Sequence, residues 1–404
     1  MRAVVIADFA QASGGAQAVA IQSALALARA DVPVTFVHGV SQAPEPRLRQ
    51  AGIDLVDLGL SDVWDLPALK AAPAGIWHRT AARRLSAALA ELPPGPAVLH
   101  LHQWTRSMSP SVLPVLLRSG RPVAVTLHDY FIACPNGVYF RFDQGRPCEL
   151  TPLSAACVTA PCDPRSGLHK AIRVARTALT KGAVRRSAFD VVHVSDRGRD
   201  TLAPFLPATL RHHRIDNPVE VAPAAPAVIG EDAKLAFIGR LTREKGADLV
   251  AAAGRAAGMP VLFLGEGPAE ADIRRIDPGA EILGWRPRAE ADAILRGRVR
   301  AVVAPSRWYE TGPLTVYEAL AAGVPAVASA RCGAAEKVVD GVTGFVAEPE
   351  VEALAAAFRA RADTDAARRM GAAAHERYWA APLDPQRHAG KLIALYRTML
   401  TAPA

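Results

Sequence analysis

Short valine-rich apolar runs recur along this chain, spaced by stretches long enough for a helix, and that alternation limits the fold more than any other feature. In the first half the runs are Ala3–Ala7, Val34–Val37, Ala97–Leu101, Val123–Leu127 and Val191–Val194. Each is short and almost uninterrupted by polar residues, the pattern of a strand buried on both faces of a parallel sheet. Helical stretches such as Ala16–Ala30 and Trp77–Glu91 lie between them. The segment Asn217-Pro218-Val219-Glu220-Val221-Ala222-Pro223-Ala224-Ala225-Pro226 then breaks the pattern and reads as a linker. A second series follows: Leu235–Ile238, Val261–Leu264, Glu281–Leu283, Ala301–Ala304, Ala326–Ala328 and Gly344–Val346. Two series predict an α/β chain of two Rossmann-like doubly wound domains facing a central cleft, with ligands bound beyond the carboxyl ends of the strands. The expected boundaries are 1–216, a linker over 217–230, and 231–384.

The length of 404 residues exceeds one ordinary core, and half of the residues are apolar. No stretch of membrane-spanning length is free of charge, so no transmembrane helix is expected. The N-terminus runs straight into a strand without a signal-peptide pattern, which predicts a cytoplasmic location. A net charge of +8 and a pI near 9.5 admit anionic partners but choose none of them.

The chemistry concentrates in Pro305–Pro325. The buried run Ala301–Ala304 leads into a loop carrying Glu310. Gly312-Pro313 is read as the opening of a helix, with proline at its first position. Gly323 and Pro325 close it. Free N–H groups at that start (Gly312, Leu314, Thr315) suit phosphate oxygens. Glu310 precedes the helix, and Glu318 is placed about two turns into it. Two carboxylates beside a phosphate site suit a ligand with both diphosphate and hydroxyls, such as a nucleotide-sugar.

This segment resembles the E-x7-E signature of the retaining glycosyltransferases of family 4, which have the GT-B fold. The resemblance extends over nearly the whole chain and implies that Glu310 lies near the donor sugar and Glu318 on the ribose. It implies that Arg240 and Lys245, in Gly239-Arg240-Leu241-Thr242-Arg243-Glu244-Lys245-Gly246, clamp the diphosphate, as forked and point cations can. Gly14 and Gly15, in Ser13-Gly14-Gly15-Ala16, match its N-terminal glycine loop. His128, in His128-Asp129-Tyr130, matches its catalytic-domain histidine. Gly284, in Gly284-Trp285, matches a base contact. His102 and Asp129 are expected on the acceptor side. The alternation along His100-Leu101-His102 is taken to point one imidazole to each face. The last helix, 385–400, is expected to cross back onto the first domain.

Departures from the family pattern are Gly312-Pro313 in place of a Phe-Gly pair, and Cys332-Gly333-Ala334-Ala335-Glu336 in place of Gly-Gly-x-x-Glu. Gly265-Glu266-Gly267 hints at a dinucleotide fingerprint, but Glu270 occupies the third glycine's place.

Cys134, Cys148, Cys157 and Cys162 fall in one insertion after His128. They read either as a tetrahedral structural zinc site or as unpaired thiols. Lys170–Ser187, with Lys170, Arg173, Arg176, Lys181, Arg185 and Arg186, reads as a basic helix that either meets a membrane surface or forms a solvated face. Asp363-Thr364-Asp365 is read as a helix cap rather than a metal motif, so no catalytic cofactor is expected.

The expected activity is transfer of a sugar from a UDP- or GDP-sugar to a glycan or lipid-linked acceptor, in cell-surface polysaccharide or glycolipid assembly at the inner face of the membrane, with no nucleic-acid partner. The alternatives are a non-catalytic binder of anionic polymer or membrane and a nicotinamide-dependent oxidoreductase.

Overall fold

The computed structural model describes residues 1–12, 14–185, 187–360 and 363–401. Ser13 of the glycine loop and Arg186 of the basic stretch lie outside the described residues. The chain divides into two compact units. The first comprises Met1–Asp143, Cys148–Pro218 and Asp384–Ala404; the second comprises Gln144–Pro147 and Val219–Leu383.

The sheet of the first unit is built from β1 (Arg2–Ala7), β2 (Val34–Val40), β3 (Asp54–Leu60), β4 (Ala97–Leu101), β5 (Val123–Leu127), β6 (Asp190–His193) and β7 (Arg211–Arg214). Among the described residues the strands are all parallel, in the order β3-β2-β1-β4-β5-β6-β7. The sheet of the second unit has β8 (Lys234–Ile238), β9 (Val261–Leu264), β10 (Glu281–Ile282), β11 (Val299–Ala304), β12 (Ala326–Ser329) and β13 (Gly344–Ala347). Its order is β10-β9-β8-β11-β12-β13, again parallel. Both units are therefore doubly wound, and the order reverses between β1 and β4 and between β8 and β11. Loops leaving adjacent strands at such a point diverge to opposite faces and open a crevice beyond the strand ends.

The central strands are covered on both faces, and β4, β5 and β11 have no residue outside the buried class. Two strands escaped the apolar pattern. In β3, Asp54 and Asp57 interrupt the run, and Arg2 pairs with Asp54 at 2.6 Å. In β7 the sequence is Arg-His-His-Arg, and Asp190 of β6 takes both Arg211 and His213. Both are edge strands, where one face and one hydrogen-bonding side need no apolar cover.

The final helix, Pro385–Thr401, belongs to the first unit. It lies on the helix Gly15–Arg29 and on β4, and adds Leu392, Leu395, Tyr396 and Met399 to their apolar core. Two polar ties fix its register. His388 bonds Ser23 at 2.8 Å, and Tyr396 Oη meets His100 Nδ1 at 2.6 Å.

Leu392 is 1% exposed at the centre of this contact. Leu392→Ala is expected to cost about 2–5 kcal/mol, as buried leucine truncations do; equilibrium urea unfolding checks it, with an unchanged midpoint as the contrary result.

Candidate active site

In the second unit, the loops after β8 and β11 meet at the switch point. Their approach requires Gly246, whose φ is +77° and where a Cβ would stand 2.6 Å from the Pro305 carbonyl oxygen. Arg307 then clamps them. Its guanidinium binds both carboxylate oxygens of Asp248 (2.6 and 2.7 Å) and the Arg243 carbonyl (2.5 Å), while its N–H donates to the Glu244 carbonyl at 2.9 Å. The forked geometry suits two contacts at once.

This clamp sets Lys245 Nζ against Glu310 Oε1 at 2.7 Å. Ser306 Oγ donates to the other carboxylate oxygen, and Gly333 N–H donates to the Glu310 carbonyl at 2.7 Å. Cys332 is buried beside Glu310; burial first, and the neighbouring carboxylate second, push its thiol well above the ordinary range. Ser306, Arg307 and Asp248 were given no role from the sequence; each lies three or four residues from Glu310 or Lys245.

The helix after Glu310 runs Leu314–Ala322. Pro313 is its N-cap, with ψ at 121°, and not its first helical residue. The N–H groups of Leu314 and Thr315 thus head the first turn, where helical geometry supplies no intrahelical partner. Glu318 consequently lies little more than one turn in, rather than two. Gly323 ends the helix with φ +75°, as its position indicated. Glu318 faces Arg288 at 3.7 Å; burial pushes its carboxyl upward against that cation. Arg240 is exposed, and its side chain has no partner among the described residues. Gly284 has φ +71°, and its carbonyl accepts from Gly265 N–H at 2.9 Å. A Cβ at Gly265 would stand 1.9 Å from the Gly239 carbonyl oxygen. That glycine serves loop stacking, which accounts for a Gly-x-Gly without the rest of a fingerprint.

In the first unit the corresponding switch point is organised by Asp8, fully buried after β1. Its carboxylate accepts from the N–H groups of Arg106 and Ser107 (both 2.9 Å) and from Ser107 Oγ (2.7 Å). This fixes the loop after β4, which begins at His102. His102 Nδ1 lies 3.0 Å from His128 Nε2, beyond β5. The His100 and His102 rings lie tilted at 37° with centroids 4.3 Å apart, and His102 stacks on His128 at 5.3 Å. The expectation that they point to opposite faces is corrected: residues two apart in a strand share a face. Burial lowers His100 and His128 to about 3, so the rings are neutral at physiological pH. Burial pushes Asp129 up to about 6. Gly14 and Gly15 are exposed at the start of the helix Gly15–Arg29; Gly14 is extended, and nothing stands within 4 Å of a Cβ at Gly15.

The cysteine insertion is tied by Asn136. Its side chain accepts from Cys134 Sγ (3.1 Å) and donates to the carbonyls of Phe140 (2.7 Å) and Cys162 (3.1 Å). Among the described residues no group of three or more His, Cys, Asp or Glu is arranged to hold a metal ion, so the zinc reading of Cys134, Cys148, Cys157 and Cys162 finds no ligand set. Burial raises Cys134 to about 11, which keeps that thiol protonated.

The basic helix is Gly167–Val184, and the expected solvated face is corrected in part. Lys170 is buried on Cys162 Sγ (3.0 Å), Arg173 pairs with Asp163 (3.1 Å), and Arg176 lies over the Phe131 ring (4.5 Å). Buried cations need local partners, and the insertion supplies them. Asp363 caps the helix Thr364–Ala380 by accepting from Asp365 N–H at 3.0 Å, as read from the sequence. No helix among the described residues is long and apolar enough to cross a membrane.

Two parallel-sheet units of this kind, with a phosphate-suited helix start and paired carboxylates in the second, define a GT-B protein. Residues 220–377 match the family model described as Glycosyl transferases group 1, so the chain carries a domain of that group. It is similar to a glycogen synthase of Mycobacterium tuberculosis (strain ATCC 25618 / H37Rv), 29% identical over 299 residues, which span 68% of this chain and 70% of that one. The fold is similar to that of sucrose-phosphate synthase from Thermosynechococcus elongatus, at a TM-score of 0.72 and 18% identity with all of both chains covered. It is also similar to that of Anabaena HepE in complex with UDP and glucose, at 0.67 and 15%, covering 98% of this chain and 100% of that one.

The buried histidines give a signed pH dependence. Their folded pKa values (about 3 for His100, about 4 for His388) lie below the unfolded value near 6.5. The unfolded chain therefore binds more protons, and stability present above pH 6.5 is lost as pH falls toward 4. His100→Asn should flatten the slope of unfolding free energy between pH 4 and 5.5 by about 1.4 kcal/mol per pH unit, one proton's worth. Urea unfolding at several pH values checks this; an unchanged slope would count against a neutral buried His100.

Proposed function

We propose that the chain is a retaining glycosyltransferase that moves a sugar from a nucleoside-diphosphate sugar to a hydroxyl of a glycan or lipid-linked acceptor. The observation that carries this reading is the Lys245–Glu310 pair at 2.7 Å, at the foot of a helix whose first N–H groups precede Glu318 by one turn. Glu310, the Lys245 cation with the helix start, and Glu318 answer in turn to the sugar, the diphosphate and the ribose of such a donor.

In this reading the N–H groups of Leu314 and Thr315, with Arg240 and Lys245, hold the diphosphate. They oppose the negative charge that grows on it as the glycosidic bond breaks, at fixed positions that need no reorganisation. These cations supply the role that a metal ion fills elsewhere, and the reading is metal-independent on that account. Lys245 turns from Glu310 toward phosphate, and Glu310 accepts hydrogen bonds from sugar hydroxyls instead. Glu318 accepts from the ribose hydroxyls, Gly284 contacts the base, and His128 orients the sugar. UDP is the favoured nucleotide, because HepE was solved with it. On the acceptor side, exposed Leu168, Leu179, Lys181 and Arg185 of the basic helix are the groups that would meet an anionic lipid surface.

Thermal denaturation with UDP, GDP, ADP and their sugar conjugates tests the donor site. A ligand at a hundredfold its Kd adds about 2.7 kcal/mol and raises Tm. Glu310→Gln and Lys245→Ala should each lower kcat by about a hundredfold or more while leaving the fold intact by circular dichroism. Near-normal transfer in both, or no shift with any nucleotide, would overturn the assignment.

A further inference from the structure

All five cation–ring contacts among the described residues fall in one place, beyond the strand ends of the first unit. Trp64 follows β3; the guanidinium carbon of Arg106 lies 3.5 Å from its ring centroid and that of Arg165 lies 4.2 Å away. Phe131 follows β5 and carries Arg173 at 5.9 Å and Arg176 at 4.5 Å. Arg106 comes from the loop after β4. The other three come from the cysteine insertion and the helix Gly167–Val184 that follows it. These cations stand where a doubly wound sheet receives its ligand.

Their charges are not balanced alike. Arg106 gives its fork to both oxygens of Asp62, and Arg173 pairs with Asp163 at 3.1 Å. Arg165 is exposed, and its guanidinium has no hydrogen bond or carboxylate among the described residues. Arg176 is only 8% exposed, and its Nη2 is buried without a hydrogen-bond partner. Burial, and then the charge of Arg173, lower it to about 10, so it remains a cation at physiological pH. The carboxylates that act on it are engaged or apart. Asp8 holds the loop after β4, Asp163 holds Arg173, and no ion pair joins Asp129 to Arg176 among the described residues. A buried cation without a counter-ion is costly, and this fold keeps one. The rings themselves are fixed. Trp64 N–H donates to Asp62 at 3.0 Å, and Asp62 holds Arg106. Gly137 has φ +77°, and a Cβ there would stand 2.5 Å from the Phe131 ring. Trp64 still keeps 54% of its surface open.

We propose that this row of rings and arginines is an acceptor subsite for a saccharide bearing an oxyanion, a carboxylate or a phosphate. Trp64 offers apolar area to the C–H side of a sugar. Arg165 at the open end and Arg176 at the buried end take the negative charge, as an unspent guanidinium forks onto carboxylate or phosphate oxygens. That the ligand is the acceptor rests on the glycosyl-transfer reading; the affinity for an oxyanion does not.

The test is calorimetric titration of the full chain with methyl glucuronide, methyl galacturonide and glucose monophosphate, each against its neutral parent sugar at matched ionic strength. The anionic sugars should bind about tenfold or more tighter than the neutral ones, the worth of one charge-assisted hydrogen bond. Uronides that bind where the phosphate does not assign a carboxylate, and the converse assigns a phosphate. Arg165→Gln, at the surface, should erase the preference and leave Tm unchanged, whereas Trp64→Ala should weaken anionic and neutral sugars alike. Neutral sugars that bind as well as anionic ones, no binding by any, or a preference that survives both Arg165→Gln and Arg176→Met overturns the proposal. Arg176→Met removes the charge and keeps the apolar stem. With no counter-ion to lose, that variant without ligand should melt at or above the wild-type Tm; a clear fall, or failure to fold, means that the cation holds the fold and overturns its part, with Arg165→Gln still deciding the site. In transfer assays an anionic acceptor should have a KM about tenfold below that of its neutral parent, and Arg165→Gln should close that gap with kcat nearly unchanged. Binding of anionic sugars by a chain that binds no nucleotide counts against the glycosyl-transfer reading alone; transfer that ignores the acceptor's charge counts against this inference alone.

Discussion

Close backbone approach between the loops after β8 and β11 underlies the geometry of the second unit. Gly246 stands against the Pro305 carbonyl with no room for a Cβ, and Arg307 bridges the two loops through Asp248 and two carbonyls. Everything proposed for the donor follows from that contact. It sets Lys245 on Glu310, and Glu310 at the foot of the helix Leu314–Ala322. With Glu310 buried, the desolvation of the two charges offsets most of their attraction, so the pair contributes little net stability. Its value is positional: in the proposed reading, both side chains are held where a diphosphate and a sugar can replace each other's partner.

The first unit is organised by a buried carboxylate and neutral rings. Asp8 gathers three donors from the loop after β4, and the histidines beyond β4 and β5 are stacked and hydrogen-bonded rather than charged. One topology, used twice, thus carries a charged pair beyond its strands in the second unit and neutral rings in the first.

Much of this was legible in the sequence. Central strands announce themselves as valine-rich runs because they are covered on both faces, and the motif loops stood out by glycine and charge at strand ends. The edge strands did not, because Asp54, Asp57 and the Arg-His-His-Arg of β7 satisfy polar partners instead of burying apolar surface. Pro313 could be read as first helical residue or cap from composition alone; the extended ψ decides for the cap. Ser306, Arg307 and Asp248 were invisible because their effect is a contact between loops about 60 residues apart. The buried Lys170 and Arg176 misled for a related reason: a cation's usual place is solvent, and only the fold supplies the cysteine sulfur and the aromatic ring that keep these inside.

The helix Pro385–Thr401 completes the core of a unit that begins at Met1. The chain emerges from the ribosome N-terminus first, and domains tend to fold in the order they appear. Here that order is reversed in part: the second unit is contiguous but for four residues and has all its strands by β13, whereas the core of the first, with Ala20 and Ala24, is completed by the helix Pro385–Thr401, which also lies on β4. Until then its apolar seam stays open to water and to chaperones. Of these two units, the one whose synthesis starts first is thus the one sealed second.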